Sequence, residues 1–351
     1  DVFAVQDEIS TAIVETLQLR LASTTTHAQT RTPDIAAYHA YLKSRYHFAK
    51  LTPERLLLSQ ALAQEAIALD PQYPPALAQL AECFIQTAIY GMAEATEMLP
   101  KARAAALRAV ALDESEASAQ MTLARIAGEF DFDWTEALRR CRLALACDRI
   151  SPAVRALCAQ FVLWPLGRID ELTAAIRPAL AADPLSPMPR TVMAQAFAAR
   201  GEHDRALAEI EAVIEMHENF WPAPLCRGTI LTVLERTMDA IAAFEKGIAI
   251  ARWNAPFVGF LAGNYSLVGE SARAERLMSG LSALPSPALG ALGRTAYHYA
   301  RREFDRVAEE YDIVIDRRYP VAAFYLTWLC LSDRFRESTP GRRLRQKMGL
   351  S

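Results

Sequence analysis

The sequence predicts an all-α fold, a solenoid in which helical hairpins stack one on the next. Three observations predict it. A skeleton recurs at a fixed step of 34 residues, through Gly201, Ala206 and Ile210, then Glu235, Ala240 and Phe244, then Gly269, Ala274 and Met278, then Glu303, Ala308 and Asp312. No stretch reads as a convincing strand. The composition, 52% hydrophobic and 23% charged with a formal net charge of −3, suits a well-packed chain and not a disordered one.

Each position of the repeat has a packing reason. Gly201 marks a turn between two helices. Seven residues before it and its relatives stand Ala194, Gly228, Ala262 and Ala296, all small; four before stand Phe197, Leu231, Tyr265 and Tyr299, all large. Antiparallel helices cross closely only where small residues meet, and a large residue one turn away fills the gap beside them. A single hairpin leaves an apolar stripe bare, and stacking the next hairpin covers it.

In chain order, residues 1–21 (DVFAVQDEISTAIVETLQLRL) read as an amphipathic helix that begins mid-pattern. Residues 22–33 (ASTTTHAQTRTP) read as a polar linker. The array is expected over 34–320, in about eight units. Its early units end at LDP (69–71), LDE (112–114), CDR (147–149) and ADP (182–184), with the Asp residues 43, 35 and 35 apart. Pro beyond such an Asp cannot continue the helix. The larger first spacing is an insertion, assigned to a long loop at YGMAEATEMLPKA (90–102), the expected place for a specific contact. FDFDW (130–134) reads as a second loop, acidic and aromatic. Residues 321–351 are expected to form a capping helix, VAAFYLTWLCL, and a solvated basic tail. The last 62 residues hold 12 Lys/Arg against 8 Asp/Glu.

The pattern resembles the tetratricopeptide repeat, as in AQAFAARGEHDRALAEIEAVIEM. That resemblance implies a right-handed α-α superhelix. The ends carry a narrower resemblance. DVFAVQDEI and the closing LSDRFRESTPGRRLRQKMGL are similar to the C-terminal region of bacterial multidomain signalling regulators. In these, a winged-helix, adenylate/guanylate cyclase or Ser/Thr kinase domain comes first, then a small α/β domain like the N-terminal domain of TolB, then the repeats. The resemblance implies that residues 1–21 are the last helix of that α/β domain. The chain departs from the repeat at Glu235 and Glu303, where a Gly-like turn is usual, and at Met216–His217 and Ile250–Ala251, where Asp-Pro would end the unit.

Chemistry-bearing motifs are missing. There is no GxGxxG after a strand, no phosphate loop, no HExxH, no nucleophile elbow and no kinase signature. His39 and His47 share a helix face beside Tyr38, Tyr41 and Tyr46, and Asp131 and Asp133 sit two apart, but neither pair has the company catalysis needs. No catalytic residue, metal or cofactor is therefore expected. The six cysteines form no CxxC pair and read as free thiols of a reducing, cytoplasmic setting. No apolar run reaches membrane-spanning length, and the charge balance points to neither a membrane nor a nucleic-acid partner.

The expected function is non-catalytic: a protein-protein interaction and regulatory module of a bacterial signal-transduction or transcriptional regulator. The 34-residue frame places Arg125, Phe161, Trp164, Thr191, Gln195, Leu225, Thr229, Tyr297 and Arg301 on the concave side, where a protein or peptide partner would lie. The alternative is a small-molecule sensor with Phe161, Trp164 and Tyr297 lining a pocket inside the superhelix. Self-association through an exposed array end is a variant of the first reading.

Overall fold

The computed structural model describes residues 34–148 and 150–350. The helix expected over 1–21 and the linker over 22–33 lie outside them. Among the described residues there are 19 α-helices and no strand. Eight hairpins follow in order: α1 (Ile35–Phe48) with α2 (Pro53–Leu69), α3 (Pro74–Ile89) with α4 (Ala95–Leu112), α5 (Ala117–Arg125) with α6 (Trp134–Ala146), and α7 (Pro152–Cys158) with α8 (Ile169–Ala182). Then come α9 (Pro187–Ala199) with α10 (His203–Met216), α11 (Pro222–Val233) with α12 (Thr237–Ile250), α13 (Ala255–Leu267) with α14 (Ser271–Ser282), and α15 (Pro287–Ala300) with α16 (Phe304–Asp316). Three short helices close the chain: α17 (Ala322–Leu329), α18 (Asp333–Arg336) and α19 (Thr339–Lys347).

The punctuation is local chemistry. Asp70, Asp113 and Asp183 end α2, α4 and α8, and each carboxylate accepts from the backbone N–H two residues on. The following Pro opens the next unit: α3, α7, α9, α11, α13 and α15 all carry Pro in the first two positions, where its missing N–H and fixed φ do no harm. Gly167, Gly201 and Gly269 take φ of +65°, +74° and +86° in the turns within hairpins. Glu235 holds the equivalent turn at φ 61°. In the last hairpin the left-handed residue is Arg302 at φ 62°, one place earlier than the register gives, and Glu303 instead precedes α16. Glu235 and Arg302, both non-glycine residues at left-handed turns, are joined by an ion pair.

The small positions are where the helices touch. A Cβ at Gly228 would stand 2.5 Å from the Phe244 ring. The tightest approach is between α13 and α15, where a Cβ at Gly259 would lie 1.8 Å from the Gly293 carbonyl oxygen and one at Gly263 2.7 Å from Tyr297 O. A single apolar core runs from the third hairpin through the eighth.

Both expected loops fold differently. Only Tyr90–Glu94 separates α3 from α4, which lengthen to 16 and 18 residues and absorb the insertion. Pro100 lies inside α4, in its second turn, at the loss of one backbone hydrogen bond. FDFDW is split. A π-helical segment, Ile126–Asp131, continues α5; Phe132 turns at φ 62°; Asp133 caps α6 by accepting from Glu136 N at 3.0 Å. A second π segment, Ala159–Leu163, continues α7. These segments occur in the two units whose Asp ends are 35 apart, so the residue beyond 34 is taken up as a π turn in each first helix.

The stack also meets itself. Tyr90 packs edge-on against Trp253 at 4.4 Å, the Gly91 backbone lies against Ser286 and Leu289, and the Tyr319 hydroxyl donates to Ile89 O.

Candidate functional site

The first helices of the third to eighth hairpins, with the π segment after α7, carry a seam of buried polar side chains: Thr122, Arg125, Gln160, Thr191, Gln195, Thr229, Asn264 and Thr295. The cover comes from the chain's own C-terminal segment, which reaches much further than a cap on the last hairpin. Phe324 packs on Phe161 at 5.4 Å and Trp328 on Trp164 at 5.5 Å, so α17 lies against the π segment that continues α7. Tyr299 Oη donates to Leu329 O at 2.9 Å, and Tyr325 lies against the Asn254 side chain. Arg318 donates to Phe130 O at 3.0 Å and covers the Phe132 ring. The Trp134 indole N–H donates to Met348 O at 2.7 Å. The aromatics of FDFDW are thus a seat for the chain's last residues. The basic tail is partly engaged too: Arg343 and Lys347 pair with Asp312, and Lys347 also with Asp316.

The most unusual electrostatics lie under this cover. Arg125 is 2% exposed and sits between Glu82 and Glu129, 3.3 Å from each, with its guanidinium 4.2 Å above the Phe161 ring centre. Thr122 Oγ1 donates to Glu82 Oε1 at 2.6 Å. Burial pushes the Glu129 carboxyl up to about 8, against the opposing pull of Arg125. Arg125 Nη2, Glu129 Oε1 and Trp164 Nε1 are buried without a hydrogen-bond partner.

Of the expected contact residues, Arg125, Trp164, Thr191, Gln195, Leu225 and Thr229 are all buried. The Thr191 and Thr229 hydroxyls are spent on Pro187 O and Leu225 O of their own helices. Phe161 is half-buried beneath Phe324. Tyr297 and Arg301 keep partial exposure; Arg301 pairs with Glu303 at 2.8 Å, bonds Ser266 Oγ and lies over the Tyr297 ring. The space a small ligand would share with Phe161 and Trp164 is filled by Phe324 and Trp328. The sequence held one signal of this arrangement, the aromatic pair four residues apart within VAAFYLTWLCL.

Other candidates resolve into structure. Asp131 takes Arg103 bidentately at 2.8 and 2.7 Å, and Asp133 is the helix cap described above. Among the described residues no three His, Cys, Asp or Glu side chains could share a metal ion, and no helix is long and apolar enough to cross a membrane. Two open grooves mark the outer faces. One, of about 650 Å³, is lined by Trp134, Leu138, Leu143 and Leu166 with Arg139, Arg142 and Arg168 at its rim; the other, of about 250 Å³, lies between α10 and α11.

Comparison with known protein families and with curated proteins finds no match. Solved structures do match. The human IFIT1 dimer with PPP-AAAA is 15% identical with a TM-score of 0.58, over 87% of this chain and 72% of that one. The human IFIT1 dimer with m7Gppp-AAAA is 16% identical with a TM-score of 0.57, over 83% of this chain and 72% of that one. TTC0263, a thermophilic TPR protein in Thermus thermophilus, is 19% identical over 56% of this chain and 99% of that one, with a TM-score of 0.44. At these identities the likeness to the two IFIT1 structures speaks for the fold alone, and the stacked helical hairpins form a tetratricopeptide-like α-α superhelix.

Proposed function

We propose that this chain is a non-catalytic interaction and regulatory module of a bacterial signal-transduction or transcriptional regulator, acting in the cytoplasm by holding a protein or peptide partner. In this reading residues 1–21 end a preceding α/β domain, 22–33 link it to an array over 34–320, and 321–351 cap the array and form the tail. One observation carries the proposal: the face that bears Phe161 and Trp164 already holds a helix, α17. A surface that seats a helical segment of its own chain has the shape and chemistry to seat another. Tyr297 and Arg301, still partly exposed, are the proposed contacts at the accessible edge.

The test is capture from the cell of origin with the chain as bait, followed by mass spectrometry. A partner enriched by the parent chain and depleted by Arg301→Glu or Tyr297→Ala supports the reading. Recovery no different from the tag alone overturns it. Self-association is read in parallel by sedimentation over a range of concentrations.

A further inference from the structure

The site beneath α17 also says what kind of ligand it takes; this inference rests on the array being a binding scaffold and goes on to the chemistry of the bound segment. Phe324 and Trp328 lie one turn apart on α17 and meet Phe161 and Trp164 of the seventh helix and the turn after its π segment. That wall reads an aromatic pair at i and i+4 on a helix. The match is apolar only. Arg125 Nη2, Glu129 Oε1 and Trp164 Nε1 remain buried and unpartnered beside it. The occupant has nothing to give them. Its end carbonyls are taken by other groups, Ala322 O by the Tyr311 hydroxyl and Leu329 O by the Tyr299 hydroxyl; the Thr327 hydroxyl donates to Ala323 O at 2.8 Å, and Tyr325 is turned to Asn254. Buried polar atoms left unpaired are costly, and a wall that served only as core would be at least as stable with apolar residues there.

We propose that α17 is a displaceable occupant, and that the site accepts in its place a peptide helix with aromatic residues at i and i+4 and a side-chain amide. The amide oxygen accepts from Arg125 or Trp164, and its NH2 donates to Glu129. Such a ligand keeps the ring contacts and satisfies atoms that α17 leaves bare.

Two measurements on the full chain test this. Native-state hydrogen exchange of the parent should show the 322–329 amides opening roughly tenfold or more often than those of α9 and α11. Fluorescence anisotropy then uses a labelled peptide of residues 319–333 and a set of its single-Gln variants. The probe should bind the Phe324→Ala/Trp328→Ala chain at least about tenfold more tightly than the parent, because the occupant is weakened. At least one Gln variant should bind more tightly than the unsubstituted peptide, and adding Trp164→Ala should abolish binding. Exchange of α17 only together with α9 and α11 overturns the proposal. So does absence of binding to a weakened-occupant chain that keeps its helical circular dichroism. If that variant unfolds, the exchange result on the parent decides. Partner capture that depends on Tyr297 and Arg301 would survive either failure, so the broader reading is judged separately.

Discussion

Replacing Gly259 with Ala is the sharpest test of how the hairpins stack. In most helix interiors this change stabilises by about 1 kcal/mol through helix propensity. Here the new Cβ would stand 1.8 Å from the Gly293 carbonyl oxygen, 2.7 Å from its carbon and 3.0 Å from Ala296 Cβ. The obstacle is backbone, so no rotamer change relieves it. An ordinary C···O contact is about 3.3 Å, so α13 and α15 must separate by roughly 1.5 Å. A gap of about 0.5–1 Å already forfeits a quarter to a half of the dispersion attraction across an interface. Overpacking at the upper end of its range, about 3 kcal/mol, less the propensity gain of about 1, leaves a net loss of about 2 kcal/mol or more. The control is Gly280→Ala in α14, where a Cβ meets nothing within 4 Å; it should be neutral or stabilise by up to about 1 kcal/mol. Urea unfolding followed by circular dichroism and tryptophan emission reads both. A Gly259→Ala midpoint equal to or above the parent's would refute the close-contact account.

Three further outcomes follow from the geometry. Trp134→Phe removes the hydrogen bond to Met348 O and should loosen the tail by about 1 kcal/mol, seen as faster tryptic cleavage at Arg342–Lys347; an unchanged cleavage rate counts against the seat described here. Glu129, facing Arg125, Glu82 and Tyr311, is protonated up to about 8 when folded but titrates near 4.5 when unfolded. Its contribution to stability is therefore full below about 4.5 and is lost as pH rises through about 8, at up to about 1.4 kcal/mol per pH unit; Glu129→Gln should flatten the slope of urea midpoint against pH over that window. Burial pushes the thiols of Cys83 and Cys330 up to about 11 and about 12 and raises those of Cys226 and Cys147, while a hydrogen bond with Cys141 together with burial raises that of Cys158. Ellman's reagent should react slowly with the native chain, first at half-buried Cys147 and Cys330, and with all six thiols after denaturation; rapid reaction of more than those two would contradict it.

The repeat was legible because the residues that carry it are the packing residues. Ala194, Ala206 and Ala240 are wholly buried, and Gly228 is small because the Phe244 ring lies over it. The breaks were less legible. An added residue reads the same in sequence whether it lengthens a loop or is wound into a helix, and the hydrogen bonds of a π turn leave no periodic trace. So YGMAEATEMLPKA and FDFDW read as loops. The frame puts Arg125, Gln195 and Thr229 on first helices, and there they lie. The cover over Phe161 and Trp164 was not legible, because it comes from a segment more than a hundred residues downstream. Only the spacing of Phe324 and Trp328 hinted at a docking face, and such spacing occurs in any core helix.

The contact of Tyr90 and Gly91 with Trp253, Ser286 and Leu289 has a consequence for how the stack comes apart. A linear array behaves as a one-dimensional chain of coupled units that frays from its ends, where a unit has one neighbour instead of two. Joining the second hairpin to the eighth gives that last unit a further neighbour, so fraying from the C-terminal side must first break the joint. The join spans roughly 160 to 230 residues of sequence between partners, and such non-local closure slows folding relative to an open stack of equal length. It also fixes the number of units. Deleting one repeat from the middle of an open solenoid shortens it, whereas here it would turn the two halves of the joint away from each other.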